Sequence, residues 1–126
     1  MITVNLNGRL TRDMEVRELN NNTKLCTFTV ASDRPYKTKD GQRPTDFIDV
    51  KCFVPEDREV QIEHRTPALR KGQMVFIMNA PLEVEKYDDK DGNARKNAVV
   101  RIRSLYDVMY DGRSLKDDAD TEEAPF

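Results

Sequence analysis

The sequence predicts an all-β domain, a barrel of five strands with one short helix between the third and fourth strands. Apolar and polar residues alternate over most of the chain, as they do in half-buried strands. The pairs Asp40-Gly41 and Asp91-Gly92 are typical of tight hairpin turns. One segment, residues 55–71, carries the signals of a helix. Together these observations favour a small β-barrel.

The first two strands lie near the N-terminus. Residues 2–10 alternate between apolar and polar side chains and form the first strand, in which Gly8 is expected to mark a bulge or a bend. Residues 14–19 continue as a polar edge, and the three asparagines at residues 20–22 are a turn signal. The second strand follows at residues 24–32.

The third strand is the most informative element. A polar, mostly basic loop at residues 34–44 leads into this strand, which covers residues 45–54. Side chains two residues apart share one face of a strand. One face is apolar and is expected to line the core, with Ile48, Val50, Cys52 and Val54. The other face carries two rings and two charges, with Phe47, Asp49, Lys51 and Phe53.

The helix is predicted between this strand and the fourth. Pro55 suits the first turn of a helix, and Glu56 and Asp57 favour its positive end. Pro67 is expected to interrupt the helix, because proline removes a backbone donor and clashes with the preceding turn.

Two strands follow the helix. Residues 73–84 form the fourth strand, and the apolar run at residues 74–78 predicts burial on both faces. Residues 98–106 form the fifth strand. Three strands, a helix and two further strands occur in this order in the OB fold, a Greek-key barrel that binds oligonucleotides. We therefore predict an OB fold.

The net charge of −2 hides an uneven distribution. The last ten residues hold five acids and no base, which leaves 21 bases and 18 acids, a net charge of +3, in the other 116 residues. We predict a folded domain over residues 1–110 and a disordered acidic tail over residues 111–126.

The tail combines acids with a final apolar pair. Such a peptide fits an apolar pocket with a basic rim on a partner protein. The residues predicted to bind the partner are Asp117, Asp118, Asp120, Glu122, Glu123, Pro125 and Phe126.

Four aromatic residues are candidates for stacking on nucleic-acid bases, because a ring offers a flat π surface to any base. Phe47 and Phe53 lie on the polar face of the third strand, Tyr36 lies in the basic loop, and Tyr87 lies at the base of the second hairpin. The alternative is that both phenylalanines pack under a loop or at a subunit interface. Six nearby cations are candidates for phosphate contacts: Arg9, Arg34, Lys37, Lys51, Lys86 and Arg95.

Catalytic patterns are missing from the sequence. His64 is the only histidine, and Cys26 and Cys52 fall on apolar faces of separate strands, where inert core thiols are expected. The acids at residues 88–91 are explained by turn chemistry, and no Walker A or dinucleotide-binding motif occurs. We expect no enzyme activity, no metal and no cofactor. Without a secretory signal or an apolar run of about 18 residues, a cytoplasmic protein is expected.

The sequence resembles the bacterial single-stranded DNA-binding protein family almost from end to end. No single motif is decisive, but the order and spacing of the motifs together are specific to the family. They are N-G-R-L-T-R-D at 7–13, T-F-T-V-A-S at 27–32, Tyr36 followed by K-x-K-D-G, T-D-F-I-D-V at 45–50, R-K-G-Q-M-V at 70–75, E-K-Y-D-D-K-D-G at 85–92 and the acidic tail ending in Pro-Phe.

The resemblance implies an OB-fold protein that assembles as a homo-oligomer, a tetramer or a dimer, and binds single-stranded DNA with little sequence preference. It also implies a nucleoid-associated location and recruitment of replication and repair proteins through the acidic tip. The stacking aromatics of the family, commonly tryptophans, fall on Tyr36, Phe47, Phe53 and Tyr87. This sequence has no tryptophan, which reduces the area available for stacking.

Two other functions stay open at this point. The aromatic face of an OB-fold replication-assembly protein could bind a protein instead of DNA, although the acidic tail argues against this. A metal-dependent nuclease could use the aspartates at residues 88–91, although the spacing of metal ligands is missing.

Overall fold

The structure, a computed structural model, describes residues 1–111. Most of this part is β-strand, with one short α-helix and two single 3₁₀ turns at Glu56–Arg58 and Leu105–Asp107. The elements are β1 (Ile2–Leu10), β2 (Glu15–Glu18), β3 (Thr23–Asp33), β4 (Thr45–Pro55), α1 (Val60–Arg65), β5 (Met74–Asp88), β6 (Ala94–Ile102) and β7 (Val108–Tyr110).

The strands close into a barrel. They are hydrogen-bonded in the order β1-β3-β4-β6-β5, and β5 pairs again with β1. The pairing of β4 with β6 is parallel, and the other pairings in the ring are antiparallel. The short strands β2 and β7 pair with β3 and β5 outside this ring. The predicted five-stranded OB barrel, with a helix between its third and fourth strands, is confirmed.

Several elements differ from the sequence prediction in number or in bounds. The polar edge at residues 14–19 contains the short strand β2, and β7 was not predicted. The fifth barrel strand is β6 at Ala94–Ile102, and it ends there because the Ser104 hydroxyl caps the 3₁₀ turn that follows. The helix is shorter than residues 55–71, because a 3₁₀ turn takes up its start and Pro67 follows its end.

The core of the barrel consists mainly of valine, leucine and isoleucine side chains, and Phe28 is its one aromatic residue in the described chain. Phe28 is buried at its centre, and burying such a side chain contributes roughly 1.5–3 kcal/mol. Gln61 links helix α1 to the 3₁₀ turn that follows β6. Its side-chain oxygen accepts hydrogen bonds from the Leu105 amide and the Ser104 hydroxyl. The helix therefore closes one end of the core.

The two cysteines lie in this core, as predicted. Cys26 and Cys52 face each other across β3 and β4, and both are fully buried. Burial raises the pKa of the Cys26 thiol to about 11 and that of the Cys52 thiol to about 12. Both thiols are therefore protonated and unreactive near neutral pH.

Two sequence predictions about single strands are wrong. The first half of β5 is not buried on both faces: Val75 and Ile77 are buried, but Phe76 is 41% exposed and Met78 is 62% exposed. The reason is that no second layer covers the outer side of this strand within the described chain. The irregular pairing of β1 lies between Val4 and Leu6 and not at Gly8, which pairs in regular register.

Candidate nucleic-acid interface

One exposed sheet face gathers most of the predicted binding residues. We define the outer face as the outward side chains of β3, β4 and β6 and of the part of β5 that pairs with β6, residues 82–88. Phe47, Asp49, Lys51 and Phe53 form its central row on β4, opposite Ala31, Thr29, Thr27 and Leu25 on β3. Directly paired residues share a face, so the parallel pairing with β6 adds Arg101 and also Val99, which is buried. The antiparallel pairing of β6 with β5 adds Arg95 with Tyr87, and Asn97 with Glu85.

Three of the four predicted stacking residues lie on the outer face. Phe47 is 65% exposed, so it packs under no loop of residues 1–111. Phe53 lies six residues further along β4, about 20 Å away at the usual rise of a strand. Tyr87 is exposed on β5, and Tyr36 is exposed in the loop that joins β3 to β4. Their role in base stacking stays a prediction.

An arginine of the neighbouring strand β6 lies closely over the ring of Phe53. The guanidinium carbon of Arg101 is 4.5 Å from the ring centre of Phe53. Arg101 also forms an ion pair with Glu83, with a nitrogen–oxygen distance of 3.6 Å. A base that stacks here would therefore share Phe53 with this guanidinium or displace it.

Tyr36 is oriented by its neighbours. Arg34 donates two hydrogen bonds of 3.0 Å to the carboxylate of Asp46, and its third nitrogen donates a 2.7 Å hydrogen bond to the Tyr36 hydroxyl. The hydrogen bond from Arg34 also holds the pKa of the Asp46 carboxyl below its ordinary value. Arg34 therefore acts on Tyr36 as a positioning residue in the free protein.

Most of the predicted phosphate-binding cations already have partners. Lys51 contacts both carboxylate oxygens of Glu85, at 2.9 and 3.1 Å. Arg95 donates a 2.9 Å hydrogen bond to Asp89 and lowers the pKa of that carboxyl, and Arg9 donates to the Gly72 carbonyl at 2.8 Å.

Two of the predicted cations are free of such contacts. Within the described chain, Lys37 and Lys86 form no hydrogen bond or ion pair through their side chains. Lys86 lies directly opposite Lys96 on β6, and like charges in this arrangement are destabilising. An anion between the two ammonium groups would relieve that repulsion. The phosphate role of all six cations stays a prediction.

Sequence reasoning missed part of the outer face. Thr29 and Asn97 donate hydrogen bonds to Asp49, at 2.8 and 3.1 Å, and Arg101 covers Phe53. The spacing of Arg95, Asn97 and Arg101 along β6 indicates that these polar side chains share one face of the strand. Placing these residues beside β4 also requires the parallel register of β4 and β6, which no local pattern carries.

The aspartates at the hairpin tip have a structural role. The Asp89 carboxylate accepts hydrogen bonds from the amides of Asp91 and Asn93 and from Arg95. Across residues 1–111, no group of three or more His, Cys, Asp or Glu side chains could hold a metal ion. Among the same residues, no helix has the length and apolar character needed to cross a membrane. The predicted partner-binding residues 117–126 lie outside the described residues.

Comparison with known proteins identifies the family. The model of the single-strand binding protein family matches residues 1–108. A single-stranded DNA-binding protein of Helicobacter hepaticus is 34% identical over 100 residues, which cover 78% of this chain and 55% of the relative. One from Streptococcus pneumoniae is 33% identical over 110 residues, covering 87% and 65%. The chain therefore spans just over half to two thirds of the length of these relatives.

A solved structure supports the fold. It is described as a Plasmodium falciparum SSB complex with ssDNA and aligns with a TM-score of 0.65 at 18% identity, covering 82% of this chain and 88% of that one. At this identity the likeness concerns the barrel alone. Since the family model matches most of the sequence, the chain belongs to the single-strand binding protein family.

Proposed function

We propose that this protein binds single-stranded DNA with little sequence specificity and protects it during replication, recombination and repair. The observation that carries the proposal is the outer face, on which Phe47 and Tyr87 are exposed, Phe53 is partly exposed, and cations lie on the same strands. Bases stack on such rings whatever their identity, and cations contact the backbone. Relatives named as single-stranded DNA-binding proteins support the same function. A cytoplasmic, nucleoid-associated location is part of this proposal.

Binding would rearrange the charges of the outer face. Lys51 and Glu85 form a half-exposed ion pair, which contributes little in water. A phosphate offers Lys51 the same kind of charged hydrogen bond, so it can replace Glu85 at a small cost. Lys37, in the loop between β3 and β4, has no such partner in the described structure, so it can bind phosphate without losing one. Lys86 has none either, but it points away from the outer face, because its neighbours Glu85 and Tyr87 lie on that face.

Salt dependence is the direct test. We expect a labelled oligothymidylate to bind the full chain and its affinity to fall as salt rises, because each phosphate contact releases counterions. The logarithm of the binding constant should fall by about 0.7 per contact for each tenfold rise in salt. Fluorescence anisotropy at several salt concentrations measures the slope.

The same titration separates the alternatives. Failure to bind would contradict the proposal and favour a protein as the ligand of the outer face. Binding with no salt dependence would contradict phosphate contacts. Degradation of the oligonucleotide on addition of Mg²⁺ would instead indicate a nuclease.

The acidic tail is proposed to recruit replication and repair proteins. Its five acids, from Asp117 to Glu123, precede Pro125 and Phe126. The ring of Phe126 suits a small apolar pocket, and the acids suit basic residues around its rim. The two kinds of contact together make recognition of the tail specific.

Deleting residues 125–126 should separate recruitment from DNA binding. We expect oligothymidylate affinity to stay within about twofold, because the deletion removes no charged side chain and the electrostatic part of binding depends on the cations that neutralise phosphates. A pull-down from bacterial lysate should lose the partner proteins that the full chain recovers. Recovery of the same proteins by both forms would contradict this role of the tail.

A homo-oligomer is also proposed, a tetramer or a dimer. Phe76, Met78 and Met109 are exposed on the outer side of β5 and β7, where Phe76 and Met109 pair directly. Strand β1 pairs with β3 only at Arg9 and Leu10, so the described strands leave most of that edge open. An apolar sheet face beside an open strand edge suits a second copy of the same chain, and light scattering of the full chain counts the copies.

A further inference from the structure

A single carboxylate lies at the centre of the outer face. Asp49 is on β4 between Phe47 and Phe53, and it is half-buried. The Thr29 hydroxyl donates to its Oδ1 at 2.8 Å, and the Asn97 amide donates to its Oδ2 at 3.1 Å. Both oxygens are therefore held by neighbouring strands, one on each side of β4.

Asp49 is unlike the other acids of this face. Glu85 is paired with Lys51, and Glu83 is paired with Arg101. The contacts of Asp49 in the described chain are neutral donors, so its negative charge is not compensated by a cation there. An uncompensated carboxylate repels phosphate, so the backbone of a bound strand is expected to pass elsewhere. Base edges, and not phosphates, would then face Asp49.

The carboxylate also has unused acceptor capacity. Each oxygen of an ionised carboxylate can accept two hydrogen bonds, and each oxygen of Asp49 accepts one from the described chain. Thr29 and Asn97 hold the carboxylate in one orientation. Its remaining lone pairs therefore have fixed positions and directions. A base stacked on Phe47, two residues away on the same face, can bring its edge within reach, since this spacing is about 6.7 Å along a strand.

We propose that Asp49 is a specificity-determining residue that accepts a hydrogen bond from the exocyclic amino group of a base. Cytosine offers such a donor at N4, and a carboxylate is a known acceptor for it. Uracil and thymine carry a carbonyl oxygen at the same position, which a carboxylate repels. The protein therefore discriminates modestly between bases. This inference rests on the proposed binding of single strands to the outer face.

Oligodeoxycytidine and oligodeoxyuridine of equal length test the proposal. The two bases share ring size and backbone, and they differ where Asp49 is proposed to act. We expect the full chain to bind oligodeoxycytidine about fivefold more tightly, the low end of the discrimination that base contacts provide. In the Asp49→Asn variant the ratio should fall to about one, because an amide can donate to the uracil carbonyl. Fluorescence anisotropy gives both affinities.

The control is Asp57→Asn, which makes the same charge change at an exposed position in the 3₁₀ turn after β4. It should leave the ratio unchanged. Equal binding of the two oligonucleotides by the unmodified chain would overturn the proposal without any variant. So would an Asp49→Asn protein that binds both more tightly at an unchanged ratio, because Asp49 would then be only a repelling charge. Failure to bind either oligonucleotide would instead contradict the proposed function itself.

Discussion

Replacing Phe47 and Phe53 together by alanine should lower the affinity for an oligothymidylate by about 1–3 kcal/mol for each ring that stacks a base. Both rings lie on the outer face of β4, with Phe47 largely exposed. Alanine keeps the strand but removes the flat surface on which a base lies. Fluorescence anisotropy of a labelled oligothymidylate with the full chain measures the loss.

A ring outside the outer face provides the control. Tyr106 is exposed in the 3₁₀ turn after β6, where it contacts His64 and Arg65. Tyr106→Ala should leave oligothymidylate affinity nearly unchanged. Undiminished binding by the double phenylalanine variant would show that these rings are not the stacking platform.

Introducing a methyl group at Gly8 should cost about 3 kcal/mol of unfolding free energy, the upper end of what overpacking usually costs. A Cβ atom built at Gly8 would lie 2.3 Å from the Ala31 carbonyl oxygen and 2.7 Å from the Val30 side chain. The carbonyl belongs to the backbone of β3, so no side-chain rotation can relieve the contact. Urea denaturation of Gly8→Ala measures the change.

Gly92→Ala is the matched control in the hairpin turn. Among residues 1–111, no atom outside Gly92 and its two chain neighbours lies within 4 Å of a Cβ at this position, and its φ is +79°. The expected cost is therefore that of the left-handed backbone alone, about 1 kcal/mol. Equal costs for the two variants would mean that β1 and β3 can separate locally, and that their close approach does not require glycine.

Local pattern was enough for much of the fold. The alternation along β4 separated Val50, Cys52 and Val54, which are buried, from Phe47, which is exposed. The basic loop before β4 and the two Asp-Gly turns also lie where the sequence predicted them. These predictions succeeded because strand alternation and turn chemistry depend on a few adjacent residues.

Local pattern failed where the neighbours of a strand decide its environment. An apolar run predicted that β5 is buried on both faces, yet Phe76 and Met78 are exposed. The same run would suit a strand between two layers or a strand with an uncovered face. Only the arrangement of the barrel distinguishes these cases, because burial depends on what packs against a side chain and not on its own character.

The sequence by itself determined the barrel, the place of its helix, the rings of the candidate site and the separation of a mildly basic domain from an acidic segment. Tertiary structure alone decided which charges meet. Lys51 and Glu85 lie 34 residues apart, and Thr29 and Asn97 reach Asp49 from different strands. These contacts depend on the register in which β3, β4, β6 and β5 pair. Register is a property of the closed sheet, so the side chains that neutralise Lys51 and orient Asp49 could not be predicted from their own segments.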